Sequence, residues 1–276
     1  MKKIRQYIKY DIVKCAILNY KKYILLFVIL NFICFTFFKY TDKANFIDYI
    51  FYLDRGSLIT NQKSLRDLIV PYEWLIINLF MLYIINSYNN IEPLNIIVQY
   101  SSKLKWLISK YIFCFLNVLF VYVIKIFVPF LFCIFTCSEI SLKPTENTML
   151  FLQSFNENLN IRDLFINVCI LPFFSLLVMS FIQITIFLLF NNKISFISSI
   201  SIFCASIFTE KPYLIGNFMM LQRNSMITGS ITEEYVKSNC AFIILFFILI
   251  ISMLLGLVYI KQIDIGGRKT SGYYFK

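Results

Sequence analysis

Six apolar runs, most of them near the length that crosses a bilayer as a helix, divide this chain of 276 residues. A helical span needs about 20 apolar residues to cross a hydrocarbon core roughly 30 Å thick. The runs fall at about 23–38, 68–88, 111–135, 164–190, 194–209 and 241–260. The last is the cleanest, AFIILFFILIISMLLGLVYI, and the fifth is short and follows the tight turn NNK. Hydrophobic residues make up 59% of the chain, above the ~45–50% of ordinary soluble domains. Too few polar residues remain between the runs to build a soluble domain. The pattern predicts an all-α polytopic membrane protein, a single transmembrane domain over 1–276 with six spans.

Before the first run stands MKKIRQYIKYDIVKCAILNYKK. Ile4, Ile8, Ile12 and Cys15 recur at helical spacing, and Lys2, Lys3, Arg5, Lys9 and Lys14 supply the polar part. That is an amphipathic helix of the kind that lies in a membrane interface. The expectation is an uncleaved interfacial helix over 1–22, turning into the first span at NYKK. No small-x-small cleavage site follows the apolar run, as a signal peptide would require.

Charge gives the orientation. With six spans, one side carries both termini and fifteen Lys/Arg, and its only acids are Asp11, Glu92 and Asp264. The other side carries ten Lys/Arg and twelve Asp/Glu. Basic residues near span ends mark the cytoplasmic face, so both termini are expected in the cytoplasm of a cell-membrane protein. The net charge of +11 follows from topology and anionic lipid, with no need for nucleic acid.

Catalytic chemistry finds little support. The chain has no histidine, which excludes His ligands and His general bases. The tail GGRKTSG follows no strand and lacks the G-x-x-x-x-G-K-[ST] spacing, so the chain is expected not to hydrolyse nucleotide. Eight cysteines fall mostly in or beside apolar runs and form no C-x-x-C. They read as small apolar fillers, and no metal or cofactor is expected. No pair of carboxylates or Ser-Lys dyad lies within a span. Pro129 and Pro172 lie inside spans and are expected to kink them.

Lys125 is the one full charge deep in a span, in VYVIKIFVPF. It either snorkels toward the outer surface, pairs with Glu73 near the outer end of the preceding span, or contacts substrate. Residues 210–240 are half apolar and read equally as a re-entrant pair of short helices or as a surface loop.

The segment IEPLNIIVQYSSKLKWLISKYIFCF, residues 91–115, opens on Glu92 and Pro93 and continues through Ser101, Ser102, Lys103 and Lys105 to Lys110. A short helix held against the inner face and joined to two spans is a lever that a partner can move. Here the chain resembles the membrane subunit of a type-2 ATP-binding-cassette (ABC) exporter. In that family an elbow helix precedes six spans, and the loop between spans two and three carries a coupling helix that docks on an ATPase subunit. Glu92 matches the acid of that loop, NIIVQY its apolar run, SSK its basic element and SKYIF the opening of span three. Leu94 and Asn95 stand where Gly-Thr often follows the acid, and no proline precedes Ser101.

The resemblance implies a coupling loop over 89–110, with Glu92, Tyr100, Ser101, Ser102, Lys103, Lys105 and Lys110 docking the ATPase. It also implies a second permease copy, identical or related, with ATP and magnesium held by the ATPase subunits. The expected cargo is a peptide, such as a bacteriocin or other antimicrobial peptide, or another amphipathic compound. A secondary transporter or channel, or an enzyme acting on lipid-linked substrates, are the alternatives. They would need intramembrane ion ligands, an inverted repeat or an interfacial catalytic group, and the sequence displays none of these.

Overall fold

The computed structural model describes residues 2–41, 44–57, 65–87, 103–136, 138–149, 152, 154–156, 159–209, 211–230 and 232–262. Ten α-helices appear among them: α1 Lys2–Tyr40, α2 Phe46–Asp54, α3 Leu65–Ser87, α4 Lys103–Phe135, α5 Glu146–Met149, α6 Ile161–Phe165, α7 Leu171–Leu189, α8 Asn192–Phe208, α9 Ser225–Thr228 and α10 Ser238–Gln262. No β-strand is present among the described residues. Four helical stretches are long and apolar enough to cross a membrane: Asn19–Tyr40, Lys103–Phe135, Ile161–Leu189 and Ser238–Lys261. The apolar parts of α3 and α8, Tyr72–Asn86 and Asn192–Phe208, are shorter.

The outer surface explains where such a chain resides. Along α10, Ile243, Phe246, Phe247, Ile250, Ile251, Leu254, Leu255 and Val258 are all exposed. Ile24, Leu25, Val28 and Phe32 are exposed on α1, and Phe120, Val123 and Phe127 on α4. A water-soluble monomer rarely presents contiguous apolar patches of this extent. Covered by lipid, they need no protein partner. This is the build of a membrane-embedded helical protein.

The turn expected at NYKK is not formed, because α1 is one helix through residues 19–22. Residues 2–40 contain no Gly or Pro, and Lys, Tyr and Asn are all tolerated inside a helix, so nothing in the sequence breaks it. The helix expected to begin at 111 starts earlier. α4 is helical from Lys103, so Lys103, Lys105 and Lys110 belong to the helix rather than to a loop reaching 110.

α7 sits at the centre, against α10, α8, α4 and α3. Pro172 shapes its start. A proline has no N–H to return to the carbonyl four residues back, here that of Val168. The chain forms a π-helical turn over Ile166–Ile170 just before it, and the Tyr122 hydroxyl donates to the Val168 carbonyl at 3.2 Å. Pro129 lies inside α4, which nonetheless continues to Phe135.

The bundle has two dissimilar ends. At one, which we call the lysine end, Lys103 Nζ donates to the Lys261 carbonyl (3.4 Å) and Asn86 Nδ2 to the Asn192 carbonyl (3.5 Å). This end gathers the start of α4, the finish of α10, the finish of α3 and the start of α8. At the other, capped end, α2 is enclosed. Asn45 caps α2 in a capping box with Asp48, satisfying two helix-start N–H groups reciprocally. Asp48, wholly buried, also accepts from the Thr145 N–H (3.0 Å), the Thr145 hydroxyl (2.7 Å) and the Thr148 hydroxyl (2.6 Å). The segment 138–149 is thereby fastened over α2.

Candidate functional site

Four consecutive residues at the end of α2, Asp54-Arg55-Gly56-Ser57, each tie to a different part of the capped end. Asp54 is the last residue of α2 and is 1% exposed. Its Oδ1 accepts from Lys125 Nζ of α4. Lys125 is itself 2% exposed, and its ammonium stands 5.3 Å from the centre of the Tyr122 ring, within cation–π range. Taking both charges out of water is costly unless they meet. Asp54 Oδ2 is buried with no hydrogen-bond partner among the described residues. Burial pushes the Asp54 carboxyl above its ordinary range, with Lys125 pulling the other way.

Arg55 Nη2 pairs with Glu73 Oε2 on α3, and its guanidinium lies 3.8 Å from the Tyr52 ring centre. Gly56 has φ +72°, and a Cβ there would stand 2.3 Å from Met220 Cγ. That backbone conformation favours glycine. Here glycine also lets the 215–223 segment lie directly on the chain. The Gln222 N–H donates to the Arg55 carbonyl at 3.1 Å.

Ser57 meets Arg223, which is 1% exposed. Arg223 Nε donates to the Ser57 carbonyl (3.1 Å), Nη1 to the carbonyls of Ser206 (2.7 Å) and Thr209 (2.6 Å) and to Asn217 Oδ1 (2.7 Å), and Nη2 to the Ile207 carbonyl (3.1 Å). The acceptors at 206, 207 and 209 are the last carbonyls of α8, which have no partner inside the helix. A cation at a helix C-terminus also meets the negative end of its dipole. Arg223 is therefore a buried cap on α8.

The pairing of Lys125 with Glu73 is thus corrected. Lys125 is paired inside the protein, with Asp54, and Glu73 takes Arg55. Snorkelling is equally displaced, since Lys125 is buried. Residues 215–224 are likewise buried, so this part of 210–240 is not a surface loop. Trp74 Nε1 fastens it to α3 through the Met219 carbonyl at 3.2 Å.

Of the residues implied for docking, Glu92, Tyr100, Ser101 and Ser102 lie outside the described residues. Lys103 and Lys105 are partly exposed on the first turn of α4. Lys110 is only 4% exposed, 5.5 Å from the Trp106 ring centre, so its side chain is not on a docking surface. Among the described residues, no three His, Cys, Asp or Glu side chains cluster to hold a metal ion. Cys34, Cys114, Cys133, Cys169, Cys204 and Cys240 are free thiols, the first three of them buried. Sequence reasoning missed Asp54, Arg55 and Arg223. For Asp54 and Arg55 the signal was LDRGS closing an apolar nine-residue run, with opposite charges side by side before a turn glycine.

The arrangement is a lock. Two ion pairs and a capped helix end join α2, α3, α4, α8 and 215–223. Comparison of the chain with protein-family models, with curated proteins and with solved structures finds no match.

Proposed function

We propose that the chain is the permease subunit of an ABC exporter in the cell membrane, both termini cytoplasmic, driven by separate ATPase subunits that hold ATP and magnesium. In this reading α3 and α8 act as the second and fifth spans alongside the four longer ones. The basic half of α1 serves as the elbow. A second permease copy, identical or related, completes a pathway for a peptide or other amphipathic compound.

The observation that carries the reading is the contact of Lys103 with the Lys261 carbonyl. The connection between α3 and α4 ends where α4 is braced on the finish of α10, so a push on it reaches three membrane helices together. The locked end supplies the fixed point against which such a push does work. A lever joined at one end and held at the other is what a partner-driven hinge motion requires. In this reading the energy comes from the separate ATPase subunits.

The test is co-purification of the full chain with an ATPase subunit. Changing residues 92–105 as a block is expected to abolish it while the melting temperature stays unchanged. An active chain that purifies alone, or an association indifferent to that block, overturns the reading.

A further inference from the structure

α8 presents a face of small hydroxyls to the bundle interior: Ser195, Ser199 and Ser206 are each 0% exposed. Ser195 Oγ donates to the Gln183 carbonyl of α7 at 2.7 Å, and Ser199 Oγ to the Ser195 carbonyl at 3.0 Å. A hydroxyl that donates once still offers acceptor lone pairs. Such a stripe alone serves helix packing. A side chain on the neighbouring α7 raises a different requirement.

Gln183 is 1% exposed, and neither atom of its carboxamide has a hydrogen-bond partner among the described residues. An amide buried in that state is strongly unfavourable, more so in a hydrocarbon-rich interior. Asn78 on α3 repeats the situation. It is 0% exposed and its Nδ2 donates to the Trp74 carbonyl at 2.9 Å, while its Oδ1 has no partner among the described residues. Three contacts fix the register of α3 on α8: Trp74 on Phe203 (ring centres 5.5 Å apart), Tyr83 on Phe196 (5.8 Å), and Asn86 Nδ2 on the Asn192 carbonyl. That register sets Asn78 level with Ser199. The Ser195 bond sets Gln183 beside the same stretch of α8, and α3, α7 and α8 all touch one another.

We propose that Gln183, Asn78, Ser195 and Ser199 form a polar seam that binds uncharged hydrogen-bonding ligands: water, and the amide or hydroxyl groups of a passing substrate. The seam offers both donors and acceptors, and none of its four side chains is charged. That suits a neutral polar group rather than an ion. Water in the seam completes the carboxamide's bonds, as buried waters do for otherwise unsatisfied groups. The substrate half of the inference rests on the export reading; the hydration half does not.

The experiment uses the full chain in lipid nanodiscs without any ATPase. Ser199→Cys and Gln183→Cys are exposed to a small uncharged thiolate-selective reagent, and each site is followed by peptide mass spectrometry. Thiolates form only where water reaches. Both new thiols are expected to react at least about tenfold faster than Cys34, Cys114 and Cys133 in the same molecules. Molar acetamide, a neutral amide, is expected to slow them severalfold, and sodium chloride is not. Rates as slow as those of the three reference cysteines overturn the seam. Fast labelling that acetamide leaves untouched overturns the amide-binding part. Ser199→Cys exchanges one atom, so it reports even if Gln183→Cys fails to fold. Loss of the ATPase association bears on the export reading alone.

Discussion

Lys125 of α4 and Asp54 of α2 form an ion pair in which both side chains are at most 3% exposed, 71 residues apart in sequence. Removing one partner leaves a buried charge unmatched, which typically costs about 3–5 kcal/mol. Lys125→Met is expected to destabilise by that order, and Asp54→Asn to rescue much of it in the double variant. Lys125→Met and Glu73→Gln are expected to add without coupling. Denaturant melts of the four variants in detergent check both halves.

The same pair predicts a pH dependence. The Asp54 carboxyl is already raised by burial, and loss of Lys125 raises it further. A carboxyl raised in the folded state contributes its stability below the unfolded value of about 3.9 and loses it as pH climbs through the folded value. The deficit of Lys125→Met is therefore expected to be largest near neutral pH and to shrink on acidification toward that unfolded value. Melts across the acid range measure it. A deficit that grows on acidification contradicts the pairing.

Arg223 caps α8 through the carbonyls of Ser206, Ile207 and Thr209. Arg223→Met is expected to cost at least about 3 kcal/mol, since several bonds to a charged group are lost at once. Arg223→Lys is expected to recover little, because a single ammonium cannot match the guanidinium fork. Hydrogen exchange of the last turn of α8 checks this locally.

Gly256 allows α10 and α4 to touch. A Cβ there would meet the Tyr111 hydroxyl at 2.2 Å, and that hydroxyl donates to the Ser252 carbonyl at 3.5 Å. Gly256→Ala is expected to destabilise by about 1–3 kcal/mol through overpacking. Adding Tyr111→Phe removes the colliding atom and is expected to restore most of the loss in thermal melts. At Gly56 the positive φ persists whatever stands opposite. Gly56→Ala with Met220→Ala is therefore expected to recover only the steric part of a loss of about 1–3 kcal/mol.

The apolar runs of the helices were plain in the sequence because a bilayer sets their length. α2 was not, since nine residues, FIDYIFYLD, are too few for a span and sit between charged stretches. Its enclosure involves Asp48 collecting Thr145 and Thr148 from 97 and 100 residues away, which no local pattern encodes. Lys125 was recognisable as anomalous, yet its partner was not. Glu73 lies on the preceding long helix and Asp54 on a helix the sequence did not reveal. The unbroken α1 was misjudged because amphipathic spacing suggested a change of direction, although no residue there compels one. Gln183 and Asn78 gave no warning, since single amides in apolar runs are legible only once neighbouring helices are in register.

The proposed movement of the α3–α4 connection by a separate ATPase is tested most directly by photocrosslinking from that connection. A crosslinker placed at Lys103 or Lys105, in cells making the full chain, is expected to capture a polypeptide bearing a G-x-x-x-x-G-K-[ST] loop, more strongly when nucleotide is trapped. Reaction of those same positions with an impermeant reagent added outside intact cells, or ATP hydrolysis by the isolated chain, would contradict the account.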